Sequence, residues 1–196
     1  MRPTPFIISS LLAVISVASA AHDHDDHEHG HEHESLSAHE HGVGSLNLVV
    51  DGGDVAIELV SPANNLLGFE HLPASNADKA KVKALQAQLN DAGSLFVFPA
   101  AADCSVEEVE LSSPLFETEK GHEHEHEHEH SDKSAESHAD IQAHFHFNCT
   151  QEAALDQIQV ALFSAFPGTE RLLLQAIGPK GQQGGELTAT QNLIRF

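Results

Sequence analysis

The clearest strand signal in this chain is the stretch Asp140-Ile141-Gln142-Ala143-His144-Phe145-His146-Phe147. Apolar and polar side chains alternate along it, and this two-residue period is typical of a β-strand with one buried and one exposed face. The apolar set is Ile141, Ala143, Phe145 and Phe147, and the polar set is Asp140, Gln142, His144 and His146. The stretch therefore predicts a sheet whose outer side carries two histidines on one strand.

Other strands and a helix are predicted around this one. Residues 46–50 and 57–59 alternate in the same way on either side of Asp51-Gly52-Gly53-Asp54, which predicts a hairpin. Further short strands are predicted at residues 95–98, 109–111, 158–162, 172–177 and 193–196, although residues 152–163 fit a helix equally well. Apolar residues at three- and four-residue spacing between Ser75 or Asn76 and Gly93 predict a helix. The fold class is α+β, a predominantly antiparallel β-sheet with one or two helices packed on one face.

The first 20 residues have the composition of a secretory signal peptide. Arg2 is the positive residue, residues 6–17 are apolar but too few to span a bilayer, and Ala18-Ser19-Ala20 matches a cleavage site. We expect cleavage at this site and export to the periplasm, with a Gram-negative bacterium as the source. An uncleaved membrane anchor is the less favoured alternative, and the cleaved chain is expected not to span a membrane.

The charge of the chain excludes nucleic acid as a partner. The chain has 30 acidic and nine basic residues and a formal net charge of −21. Phosphates are repelled by such a surface, whereas cations are concentrated near it.

Two segments combine histidine with acidic residues. One is the N-terminal tail at residues 21–41, and the other is a loop insertion at residues 119–137. In the loop, glutamates alternate with His122, His124, His126, His128 and His130. Imidazole with carboxylate chelates Zn²⁺, Cu²⁺ and Ni²⁺, so we expect both segments to be disordered, weak and exchangeable metal sites. A solubilising linker is the simpler alternative.

A tighter metal site is predicted on the domain, which we place at residues 42–196. His144 and His146 share a strand face, and His138 and Asp140 have the same parity. Candidate completing ligands are Glu70 with His71, and His39 or His41 where the tail joins the first strand. Two surface histidines without a metal are the alternative.

No enzyme is expected from this sequence. The His-Glu-x-x-His pattern does occur in both segments, but a zinc protease needs it on a packed helix with an apolar face. Neither segment provides that face.

Cys104 and Cys149 are the only two cysteines. In an oxidising compartment an even count predicts one disulfide, which would enclose the His-rich loop. A metal site of cysteine and histidine is the alternative.

Four features resemble the ZrgA-type periplasmic zinc-uptake proteins over essentially the whole mature chain. They are Ala38-His39-Glu40-His41-Gly42, Ser61-Pro62-Ala63-Asn64-Asn65-Leu66-Leu67-Gly68-Phe69-Glu70-His71, the two cysteines, and Leu162-Phe163 followed by Phe166-Pro167. The resemblance implies periplasmic zinc binding in support of zinc import, with delivery to a zinc solute-binding protein or an ABC importer. A buffer that protects against excess zinc, copper or nickel is the competing function.

Overall fold

Residues 40–116 and 139–196 are described by a computed structural model. The predicted signal peptide and several predicted metal ligands lie outside these ranges. Those ligands are His39, His122, His124, His126, His128, His130 and His138. The predicted boundaries of the tail, the loop insertion and the domain stay predictions.

The described residues form nine strands and four α-helices. The strands are β1 (Val43–Asp51), β2 (Asp54–Pro62), β3 (Phe96–Val97), β4 (Cys104–Ser112), β5 (Asp140–Cys149), β6 (Gln157–Val160), β7 (Arg171–Gly178), β8 (Gly181–Thr188) and β9 (Leu193–Arg195). The helices are α1 (Ala63–Leu67), α2 (Asn76–Asn90), α3 (Ala92–Leu95) and α4 (Leu162–Ala165). None of these helices has the length and apolar character needed to cross a membrane.

The main sheet has six strands in the order β4-β5-β2-β1-β7-β8. All neighbours in it are antiparallel except β1 and β7, which are parallel. The strands β3, β6 and β9 form a second, smaller antiparallel sheet. The predicted β1–β2 hairpin is confirmed, with Val50 opposite Val55.

The core lies on one side of the six-stranded sheet. The four apolar residues predicted to face inward on β5 are each at most 2 % exposed, whereas Gln142 and His146 are exposed. The ring of Phe96, on β3, meets that of Phe145 edge to face with centroids 5.0 Å apart. Helix α2 contributes Val82, Leu85 and Leu89 to the same core. The predicted fold class is therefore confirmed.

The predicted helix is α2, and its N-terminus is capped by Ser75. The Ser75 hydroxyl accepts a hydrogen bond from the Asp78 backbone N–H, and the Asp78 carboxylate accepts from the backbone N–H of Ser75. Hydrogen bonds from Ser75 lower the pKa of the Asp78 carboxyl below its ordinary value of 3.8. This reciprocal arrangement satisfies two donors that a helix start otherwise leaves unpaired.

The predicted disulfide joins Cys104 to Cys149. The two residues are directly opposite each other at one end of the β4–β5 pair. Residues 117–138, which contain the His-rich loop, connect these strands at the other end.

Candidate metal-binding site

Both His-rich segments join the described domain at one end of the six-stranded sheet. The described chain begins at Glu40, just before β1 starts at Val43, and it resumes after the loop at Ala139. Asp140, the first residue of β5, is paired with Pro62, the last residue of β2. Only β2 lies between β1 and β5, so the two strands start about 10 Å apart at the usual strand spacing. We call this end of the sheet the tract end.

The tract end is held together by Asn65, which is 3 % exposed. Its Oδ1 accepts a hydrogen bond from the Gly42 backbone N–H at 2.7 Å. Its Nδ2 donates to the Val43 carbonyl at 3.0 Å and to the Ser61 hydroxyl at 3.1 Å. One buried amide therefore fixes the place where the tail enters β1.

The backbone around Asn65 depends on two glycines. Gly68 ends α1 in the left-handed conformation, with φ of 79°, which favours glycine. Gly168 lies so close to Asn65 that an added Cβ would be 2.5 Å from the Asn65 carbonyl oxygen. Gly68 therefore lets the chain turn at the end of α1, and Gly168 lets the loop before β7 pack against the backbone of Asn65.

His41 and Glu70 meet at this turn. The His41 Nε2 lies 3.0 Å from the Glu70 Oε1, and the His41 side chain is 57 % exposed while that of Glu70 is 12 % exposed. When Nε2 donates its hydrogen to Glu70, Nδ1 keeps the lone pair that a metal ion needs. Carboxylates commonly orient ligating histidines in this way.

His71 follows directly and is also oriented by an oxygen atom. Its Nδ1 lies 3.0 Å from the Leu72 carbonyl oxygen, and its ring stacks on Phe69 with centroids 4.8 Å apart. When Nδ1 donates to that carbonyl, the exposed Nε2 is the nitrogen left for a metal. His41 and His71 therefore have the form expected of oriented ligands.

Arg171 ties the C-terminal end of the tail to the sheet. Its guanidinium contacts Glu40 at 3.0 Å and Glu186 at 3.3 Å. The backbone N–H groups of Glu170 and Arg171 both donate to the Gly42 carbonyl. The first described residues, where the tail meets β1, are thus fixed by side-chain and backbone bonds.

The predicted strand-face histidines lie on the open side of the sheet. Asp140, Gln142, His144 and His146 share this face of β5, as their parity predicted. The His144 Nε2 lies 3.9 Å from the Glu58 Oε1 on β2. His144 therefore has a carboxylate neighbour that belongs to another strand.

The strand-face histidines and the tract end are too far apart to share an ion. His144 pairs with Glu58, and Glu58 with Asn47, which is four residues beyond Val43 on β1. Four residues of strand span about 13 Å, whereas zinc–ligand bonds are about 2 Å long. Asp140 is likewise four residues from His144, so it belongs to the tract end. The predicted ligands thus fall into two groups.

Neither group forms a complete metal-binding site in the part of the chain that the structure describes. There, no three histidine, cysteine, aspartate or glutamate side chains are grouped so that they could hold a metal ion. An ion bound at either place needs side-chain movement or additional ligands from the His-rich segments.

Sequence reasoning missed three kinds of residue at these places. Asn65 was named only within the stretch from Ser61 to His71 that carries the resemblance, because nothing local shows that it reaches back to Gly42. Glu58 alternates with buried Ile57 and Leu59, which places it on the open face but does not show its neighbour on β5. The glutamates of β4 indicated only a weak strand. Strand order and register supply the missing information.

A family model described as ZrgA family zinc uptake protein matches residues 38–196. The match includes every described residue, both groups of candidate ligands and both cysteines. None of the curated proteins compared with the chain matches it. The resemblance predicted from the sequence is confirmed.

Proposed function

Since the chain belongs to the ZrgA family of zinc uptake proteins, we propose that it is exported to the periplasm and captures Zn²⁺ there. It then passes the ion to an ABC-type zinc importer or to the solute-binding protein of that importer. The signal-like first 20 residues support export. Seventeen histidines and a net charge of −21 support the capture of a divalent cation.

The attachment of both His-rich segments at the tract end is the observation that carries this proposal. Alternating histidine and glutamate offer many overlapping ligand sets, so an ion can exchange between them. His41 and His71 each have one ring nitrogen next to an oxygen atom, which leaves the other for zinc. We therefore assign the tract end as the place where zinc from both segments is collected.

Several neighbouring residues would complete the coordination at the tract end. His39 precedes His41 by two residues, and His138 and Asp140 flank the return of the loop into β5. Zinc prefers four ligands from imidazole, carboxylate and water. The proposal involves binding and transfer, and it requires no catalytic step.

The physiological test is growth of a deletion strain under zinc limitation. Without the protein, growth should be normal in zinc-replete medium and poor with a zinc chelator, because capture limits import only when free zinc is scarce. Added zinc should restore growth. If the strain instead grows normally under chelation and is sensitive to excess zinc, copper or nickel, the protein is a protective buffer and the uptake proposal is wrong.

Complementation tests the role of the tract end. His41→Asn with His71→Asn removes two imidazoles there, and His126→Asn with His128→Asn removes two from the loop as the matched control. The first pair should restore growth under chelation less well than the second, at equal protein levels. Equal rescue by both pairs would show that only the number of histidines matters.

A further inference from the structure

A β-bulge in β4 places extra carboxylates beside His146. Val106 pairs with Phe147 and Glu108 pairs with His146, so Glu107 is the additional residue. In a bulge two residues of one strand oppose one residue of its partner. Glu107 and His146 also line one shallow depression of about 440 Å³. The bulge thus gives His146 two carboxylate neighbours instead of one.

His144 has carboxylates on both sides. Glu110 is opposite it on β4, and Glu58 is opposite it on β2. The Glu58 Oε2 accepts a hydrogen bond from the Asn47 amide at 2.7 Å, while its Oε1 is the oxygen nearest to His144. Asn47 therefore holds Glu58 in a position next to the imidazole.

The negative charge of this surface is not balanced within its own strands. The four adjacent strands β4, β5, β2 and β1 contain no lysine or arginine. Like charges on neighbouring strand positions repel and destabilise a sheet. A divalent cation bound by the histidines would reduce that repulsion.

We propose that this surface is a second Zn²⁺ site, separate from the tract end. We call it the β5 face, formed by Glu58, Glu107, Glu108, Glu110, His144 and His146. His144 and His146 supply the nitrogen ligands, and a carboxylate of β4 supplies the third ligand. Glu58 is a positioning residue that orients His144. The choice of zinc as the ion rests on the proposed function.

The spacing of these residues suits one ion after rotation of exposed side chains. Residues two apart on a strand are about 6.6 Å apart, and directly opposed Cβ atoms on neighbouring strands are about 5 Å apart. Imidazole and glutamate side chains span these distances to a shared ion. Three protein ligands leave a fourth position open on a tetrahedral zinc ion, so an acceptor protein can supply a ligand before the ion leaves.

The test is histidine footprinting of the intact chain with diethylpyrocarbonate, read by mass spectrometry during a titration with zinc sulfate. The His144 side chain is 41 % exposed and His146 is exposed, so both should be modified in the absence of zinc. Zinc should protect both residues together, because one imidazole nitrogen of each residue binds the same ion. The histidines of the two His-rich segments, which we call the tract histidines, are followed in the same spectra.

The decisive variant is the triple substitution Glu107→Gln, Glu108→Gln and Glu110→Gln. It keeps side-chain size and removes repulsion, so the fold should be retained. The zinc concentration that half-protects His144 and His146 should rise tenfold or more, in line with losses of about 10–100-fold when supporting groups of metal sites are removed. Glu152→Gln, an exposed glutamate in the connection between β5 and β6, is the control and should leave this concentration unchanged.

The outcomes separate this proposal from the proposed function. If His144 and His146 stay reactive while tract histidines are protected, the β5 face binds no zinc and the proposed function stands. An unchanged half-protection concentration in the triple variant also overturns the proposed ligand set. If zinc protects no histidine anywhere in the chain, both proposals are wrong.

The role of Glu58 is tested by Glu58→Gln, which retains an acceptor for the Asn47 amide. About tenfold weaker zinc protection of His144, with unchanged protection of the tract histidines, is expected for a positioning residue. Zinc protection equal to that of the unchanged chain would exclude this role.

Discussion

Replacing Asn65 by alanine should lower the free energy of unfolding by about 3 kcal/mol. The side chain is 3 % exposed and makes three hydrogen bonds, of 2.7, 3.0 and 3.1 Å. A typical hydrogen bond contributes about 1 kcal/mol net, and a buried donor left without a partner costs about 1–3 kcal/mol. The Gly42 N–H would be such a donor, so about 3 kcal/mol is a conservative value.

Urea denaturation followed by far-ultraviolet circular dichroism measures this loss. The midpoint should fall at constant slope, because the surface exposed on unfolding does not change. Asn64→Ala, one residue earlier in α1, is the matched control and should change stability by less than about 0.5 kcal/mol. A loss below about 1 kcal/mol for Asn65→Ala would refute the view that its amide fixes the start of β1.

The same variant should also change the chemistry of the tract end. Without the Asn65 amide, the backbone at Gly42 is no longer held against α1, and His41 should lose its contact with Glu70. Diethylpyrocarbonate should then modify His41 faster than in the unchanged chain, while the rate at His146 stays the same. An unchanged rate at His41 would mean that other contacts, such as those of Arg171, suffice.

The remaining predictions concern the disulfide, zinc binding and α2. Replacing Cys104 and Cys149 by serine should cost up to about 4 kcal/mol in urea denaturation, given their separation of 45 residues, with zinc stoichiometry retained. Zinc affinity measured by calorimetry should fall about tenfold per histidine ligand from pH 7.5 to 5.5, because free imidazole takes up a proton near pH 6.5. The lowered pKa of Asp78 means that its contribution to stability is present above pH 3.8 and lost as pH falls through the lowered pKa. Asp78→Asn should therefore lower the melting temperature at pH 7, and the difference from the unchanged chain should shrink as the pH falls through the lowered pKa.

The faces of the strands could be predicted because parity needs no knowledge of the partner strand. Ile141, Phe145 and Phe147 are buried as the alternation indicated, and His146 is exposed. The β1–β2 hairpin was equally readable, because its turn and both strands are local. The pairing of Cys104 with Cys149 followed from the count of cysteines and the expected export.

Elements that depend on distant contacts were not predictable. β8, Gly181–Thr188, contains three glycines and two glutamines, so it shows no apolar alternation and owes its extended form to pairing with β7. The parallel pairing of β1 with β7 left no signal in either strand. Residues 152–163, which fitted either state, contain the strand β6 and the start of α4.

The two candidate sites differ in the same way in how far they could be predicted from the sequence. The stretch from Ser61 to His71, which carried the resemblance, builds the tract end: Asn65 fixes the backbone at Gly42, where the tail meets β1, and Glu70 lies against His41. The β5 face has no comparable local signature. Its carboxylates come from β2 and β4, and the bulge that adds Glu107 is visible only in the register between strands. A sequence can therefore show which histidines are exposed, whereas the acids that surround them become apparent only when strand order is known.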